Sequence, residues 1–72
     1  MKINGRTIHK SVTMDRIVDA VESQFNSLSN PGICIACGTD QEGCEPDAEK
    51  YTCESCGDNT VYGAEQLLIY LV

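Results

Sequence analysis

Cys34-Ile35-Ala36-Cys37-Gly38 and Cys53-Glu54-Ser55-Cys56-Gly57 decide how this chain is read. Each stretch is a Cys-x-x-Cys-Gly knuckle, and fifteen residues separate Cys37 from Cys53. A two-residue gap lets the backbone turn back so that both sulfurs approach one ion from the same side. A second knuckle supplies the other two corners of a tetrahedron with metal–sulfur bonds near ~2.3 Å. Glycine after each second cysteine permits a positive-φ turn that aims backbone N–H groups at sulfur and disperses thiolate charge. A lone Cys-x-x-Cys is a weak signal, but two at this spacing form a strong one. The expected site is therefore Cys34, Cys37, Cys53 and Cys56 around one structural zinc ion. The competing reading is a pair of redox dithiols or disulfides. A redox dithiol opens a helix in a thioredoxin-like βαβ setting, which this sequence lacks.

Chain length explains why a metal is needed. At 72 residues the chain forms one domain at most. A domain of this size buries only about 60% of its unfolded surface, so its apolar core alone is marginal. Five cysteines are available for a staple, an odd number that suits a complete disulfide set poorly. Met1-Lys2-Ile3-Asn4-Gly5 lacks the apolar stretch of a secretory leader. No apolar run approaches the ~20 residues of a membrane span. The expectation is a cytoplasmic chain without membrane contact, in a reducing compartment where paired cysteines serve as metal ligands.

Upstream of the knuckles, residues 13–30 carry a helical pattern. Met14, Ile17, Val18, Val21, Phe25 and Leu28 fall on one face and are expected to be core. Ser11 or Thr13 can act as N-cap, and Asp15 suits the positive end of the helix dipole. Asn30-Pro31-Gly32 ends the element. Residues 1–12 read as a basic arm or as a short hairpin, because Ile3 and Ile8 flank an Asn4-Gly5 turn signal.

Residues 31–72 hold the knuckles and a C-terminal element. The span 38–52 is polar and turn-rich, with Gly43, Pro46 and many acids, and reads as an exposed connection or loose hairpin. Tyr51-Thr52 and Thr60-Val61-Tyr62 have strand character. Ala64-Glu65-Gln66-Leu67-Leu68 is good helix material, and a short helix is expected to run to about Tyr70. The expected fold class is thus a small α+β domain stapled by metal. It comprises an N-terminal amphipathic helix, a four-cysteine zinc ribbon with a short β-hairpin, and a short C-terminal helix.

Three other features have bland readings. Cys44 lies in the acidic loop and reads as a bystander thiol, its pKa raised by Glu42, Glu45 and Asp47. A substitute ligand or an intermolecular disulfide is the alternative. His9 is the sole histidine, and neutral solvent exposure in a mobile segment is expected for it. The acids Asp40, Glu42, Glu45, Asp47 and Glu49 lack the alternation of an EF-hand loop and read as a solvated surface.

At Cys34/Cys37/Gly38 and Cys53/Cys56/Gly57 the chain resembles the zinc-ribbon family over about residues 32–63. The wider order of helix, Asn30-Pro31-Gly32-Ile33-Cys34, second knuckle and Val61-Tyr62-Gly63-Ala64-Glu65 is similar to small zinc-ribbon proteins of bacteriophage and bacteria. The resemblance implies the ribbon fold. It also implies a place among proteins that bind nucleic acid or other proteins in transcription, translation and replication. The chain departs from the nucleic-acid-binding members, because its fingers carry acids where those use Lys, Arg or exposed aromatics.

The net charge of −6 bears on partners. Lys2, Arg6, Lys10 and Arg16 make residues 1–16 basic, whereas residues 17–72 hold ten acids and one base, Lys50. The first expectation is a non-enzymatic protein-interaction module whose acidic surface meets a basic partner, as a phage-type modulator of a host protein would. Self-association through the 14–28 helix and the apolar Leu67–Val72 tail belongs to the same reading. The second expectation is a nucleic-acid-associated ribbon using the basic N-terminus, which the charge disfavours. The third is a rubredoxin-like iron electron-transfer protein, weakened by a content of only Phe25, Tyr51, Tyr62 and Tyr70 as aromatics. Catalysis is not expected: no nucleophile–base pair or phosphate-cradling glycine loop is present.

Overall fold

A computed structural model describes residues 2–3, 5–27, 30–45 and 47–71, the side chains of 2, 26 and 27 excepted. Asn4 of the expected turn, Leu28 of the expected stripe, Pro46, Val72 and the Lys2 side chain lie outside the described residues. The chain runs β1 (Lys2–Ile3), β2 (Arg6–Thr7), α1 (Met14–Ser27), β3 (Gly32–Cys34), β4 (Asp40–Gln41), β5 (Tyr51–Thr52), β6 (Asn59–Gly63) and α2 (Ala64–Leu71). The described residues thus form a small α+β structure with two helices, an N-terminal two-stranded hairpin and a four-stranded antiparallel sheet of order β4-β3-β6-β5.

The sheet's two faces follow from alternation along its central strands. Ile33 pairs with Tyr62, and Cys34 pairs with Val61. Paired residues point to the same face and successive residues to opposite faces. Accordingly Ile33, Ile35 and Tyr62 join one buried cluster with Ile3, Ile8, Val12, Ile17 and Leu67. Cys34 and Val61 join a second with Cys44, Ala48 and Cys53. The helices cover the first face, and the knuckle sulfurs with Cys44 and Ala48 occupy the second.

The span 38–52 is not a hairpin of its own. Its ends form β4 and β5, which sit on opposite edges of the sheet and pair with β3 and β6. Two tyrosines tie the loop down: Tyr51 donates to Glu45 and Tyr70 to Glu49. Ala48 is buried and its carbonyl accepts from Gly63 N–H at 3.0 Å. The acidic stretch is therefore a strap across the sheet, although its charged ends remain exposed.

Thr13 caps α1. Its Oγ1 accepts from Arg16 N–H at 3.3 Å and its carbonyl from Ile17 N–H at 3.0 Å. The expected apolar stripe is only partly core. Ile17 is fully buried and Met14 and Val21 are half-buried, but Val18 is 38% and Phe25 72% exposed. The helix is rotated so that Ile17 faces the sheet and Gln24 reaches α2, where its Nε2 donates to Glu65 at 2.7 Å. Phe25 is carried beyond the edge of that contact.

β6 passes into α2 without a loop. Ala64 N–H at the start of α2 donates to the Pro31 carbonyl at 3.2 Å, which satisfies one donor that a helix N-terminus leaves open. Leu67 is buried in the core, with Leu68 and Leu71 packed against it, while Ile69 points outward at 70% exposure. Pro31-Gly32 leads into β3, so Gly32 serves as a strand residue and does not cap α1.

Candidate metal centre

The two knuckles are local copies of each other. Cys34 N–H donates to the Thr39 carbonyl at 2.9 Å and Gly38 N–H to the Cys34 carbonyl at 2.8 Å. In the second, Cys53 N–H donates to the Asp58 carbonyl at 2.8 Å and Gly57 N–H to the Cys53 carbonyl at 2.9 Å. Gly38 and Gly57 both have φ of 83°, the left-handed conformation that closes each turn. Cys37 N–H points at Cys34 Sγ (3.4 Å). Cys56 N–H (3.4 Å) and Ser55 N–H (3.3 Å) point at Cys53 Sγ.

These turns bring the four sulfurs of Cys34, Cys37, Cys53 and Cys56 within 4.8 Å of one another. Across the knuckles, Cys34 Sγ lies 3.7 Å from Cys56 Sγ, and Cys37 Sγ lies 3.7 Å from Cys53 Sγ. A disulfide would require about 2.05 Å. A tetrahedron with metal–sulfur bonds of ~2.3 Å has edges of ~3.8 Å. The spacing fits the tetrahedron, so the four cysteines are poised to bind one metal ion.

Hydroxyl groups extend the sulfur environment. Thr60, the one buried polar residue of the described core, places Oγ1 3.1 Å from Cys34 Sγ. Thr39 Oγ1 lies 3.3 Å from Cys37 Sγ. Neither threonine was marked by the spacing of the cysteines. Thr39 follows Cys37-Gly38 directly, so the residue after the knuckle glycine was the available signal. Electrostatics is uneven among Cys37, Cys53 and Cys56. The Thr39 hydroxyl and backbone N–H hold Cys37 down at about 6. The Cys56 and Ser55 N–H groups lower Cys53. The Asp58 N–H favours the Cys56 thiolate, but desolvation and the three neighbouring sulfurs outweigh it and push that thiol up to about 12. Four sulfurs this close ionise together only when a cation shares the site.

The N-terminal segment braces the first knuckle. His9 N–H donates to the Ile35 carbonyl at 2.7 Å, and His9 Nδ1 accepts from Ser11 N–H at 3.1 Å. His9 is half-buried, packed with Ser11 against Gly38, and is not the exposed residue of a mobile arm. Arg16 donates to the Gly38 carbonyl and pairs with Asp40 at 2.8 Å. Arg6 approaches Asp58, at the end of the second knuckle, at 3.9 Å. The sequence placed Arg6 and Arg16 in a basic N-terminal segment. Their partners lie 52 and 24 residues away, and no local pattern announces them.

Cys44 is buried outside the cluster. Its N–H donates to the Asn30 carbonyl at 3.0 Å, and a Cβ at Gly32 would meet its Sγ at 2.6 Å. Burial first, then Glu45, Glu42 and Glu54, raise its pKa. No family model, curated protein or solved structure matches this chain.

Proposed function

We propose that this chain is a zinc-stapled, non-enzymatic interaction module that presents an acidic surface to a basic protein partner. The observation that carries the reading is the pair of 3.7 Å sulfur–sulfur distances joining one knuckle to the other. Four thiolates complete a zinc shell and leave no position for a reactive water, which favours a structural role over hydrolysis. Structural zinc contributes on the order of 10 kcal/mol in small domains, which a core of this size needs.

Charge supports the protein partner. Arg6 and Arg16 are paired with Asp58 and Asp40 within the chain, which reduces the basic footprint available to nucleic acid. Asp40, Glu42, Glu45, Asp47, Glu49, Glu54 and Asp58 are all exposed. By the resemblance to phage and bacterial ribbons, the partner would be a host enzyme whose basic groove accepts this surface. The iron reading has less support. Of the aromatics, only Tyr62 is buried, so no aromatic shell surrounds the sulfurs. Among the described residues no helix is long and apolar enough to cross a membrane.

Exposure of Phe25 and Ile69 favours a second surface, for self-association. Circular dichroism during titration with a strong chelator tests the module. Loss of sheet and helix signal is expected, and an unchanged spectrum and melting curve would reject a zinc staple. A gel shift at low salt tests the partner class: no DNA or RNA shift is expected, and a salt-sensitive shift would favour nucleic acid.

A further inference from the structure

Thr60 lies on β6 beside the metal centre and is only 4% exposed. Its backbone is fixed on the sheet. The Thr60 carbonyl accepts from Ile35 N–H at 2.9 Å, and the next residue, Val61, pairs with Cys34. Thr60 Oγ1 lies 3.1 Å from Cys34 Sγ, and among the described residues that sulfur is the hydroxyl's only hydrogen-bond partner. A buried hydroxyl needs a partner, and here the partner is a metal ligand. A ligating sulfur carries no proton, so in the metal-bound state the hydroxyl donates and the thiolate accepts.

Comparison of the two knuckles shows what this bond adds. Cys34 and Cys53 hold equivalent places, each first in its Cys-x-x-Cys-Gly turn. Cys53 Sγ accepts from two backbone groups, Ser55 N–H at 3.3 Å and Cys56 N–H at 3.4 Å. Cys34 Sγ accepts from Cys37 N–H at 3.4 Å, and no matching bond from Ala36 N–H is present among the described residues. The Thr60 hydroxyl supplies the second donor, so each leading cysteine has two. Cys34 is fully buried, so water does not reach it to take that role. Four thiolates around one dication leave excess negative charge, and every donor at sulfur disperses part of it.

We propose that Thr60 is a positioning residue of the metal centre, whose hydroxyl donates to the Cys34 thiolate and tightens metal binding. This rests on the four-cysteine metal reading and adds to it a residue that the cysteine spacing does not mark.

The test uses the full reduced chain loaded with Co²⁺, whose sulfur-to-cobalt charge-transfer band reports the electron density at the thiolates. Thr60→Val keeps the side-chain shape and removes the hydroxyl, whereas Thr60→Ser keeps the hydroxyl. Losing a donor raises the energy of the sulfur lone pair. The Thr60→Val band is therefore expected at longer wavelength, with Thr60→Ser close to the unaltered chain. Competition against a chromophoric chelator is expected to show zinc held about tenfold more weakly by Thr60→Val, with affinity restored in Thr60→Ser. Thr60→Ala set against Thr60→Ser makes the same comparison if Thr60→Val does not fold. Weaker binding with an unmoved band would reduce Thr60 to packing and overturn the proposal, as would an unmoved band with unchanged affinity. An unaltered chain without a tetrahedral cobalt spectrum would overturn the metal reading itself.

Discussion

Arg16 on α1 and Asp40 on β4 form an ion pair, with Nη2 2.8 Å from Oδ1. The same guanidinium donates to the Gly38 carbonyl, to the Ser11 carbonyl at 3.2 Å and to Ser11 Oγ at 3.3 Å. One side chain thus ties the helix, the N-terminal segment and the first knuckle together. A partly exposed ion pair alone contributes at most about 1 kcal/mol, whereas charged hydrogen bonds to backbone carbonyls contribute more. Arg16→Ala is expected to destabilise the metal-loaded chain by about 1–2 kcal/mol, and Asp40→Asn by less, because the Gly38 and Ser11 contacts remain. At ~4–8 °C per kcal/mol for a domain of this size, thermal melts will separate the two variants.

The knuckle glycines share a backbone conformation and differ in surroundings. At Gly57 a Cβ would meet nothing within 4 Å, so Gly57→Ala carries only the left-handed strain of about 1–2 kcal/mol. At Gly38 a Cβ would lie 2.2 Å from Ser11 Oγ and 3.1 Å from His9 Nδ1. Gly38→Ala should therefore be the more damaging of the two in a melting experiment. Adding Ser11→Gly should recover part of that difference, and no recovery would mean that the N-terminal segment does not press on the knuckle.

Two apolar residues of α1 should respond very differently to truncation. Ile17 is fully buried, and Ile17→Ala is expected to cost about 2–4 kcal/mol through lost burial and the cavity left behind. Phe25 is 72% exposed, and Phe25→Ser should change stability by less than about 0.5 kcal/mol in a dilute sample. Concentration-dependent melting of the unaltered chain that vanishes in Phe25→Ser would show that a second copy covers this residue.

The contrast between Ile17 and Phe25 marks what the sequence could and could not convey. The knuckles were legible because four sulfurs around one ion demand a fixed local spacing. The presence of α1 was legible from periodicity and capping, and that of α2 from the helix propensity of Ala64 to Leu68. The rotation of α1 was not: the apolar stripe from Met14 to Phe25 is wider than the contact available, and packing against α2 selects its Ile17 edge. Pairing of Ile33 with Tyr62 spans 29 residues, and short strands do not encode such a register. His9 was read as solvent-facing and Arg16 as part of a basic footprint, because their partners Ile35, Gly38 and Asp40 lie more than twenty residues away in sequence.

Cys44 should be chemically quiet. Burial and the surrounding carboxylates raise its pKa above the ordinary thiol value, so the neutral form persists at neutral and mildly alkaline pH. The thiolate is the reactive form, so native alkylation at pH 7.5 should leave Cys44 unmodified, as peptide mass mapping would show. Chelation should expose all five cysteines. Cys44→Ala should keep one metal per chain, and loss of metal in that variant would make Cys44 a ligand.

The most direct test of the zinc staple is native mass spectrometry of the chain isolated without added metal or reductant, read beside the same sample in acid. Acid protonates the thiolates and releases the ion. One zinc per chain at neutral pH, lost in acid and unaffected by Cys44→Ala, is the expected result. A metal-free chain, a chain carrying iron, or a mass short by the hydrogens of two disulfides would contradict it.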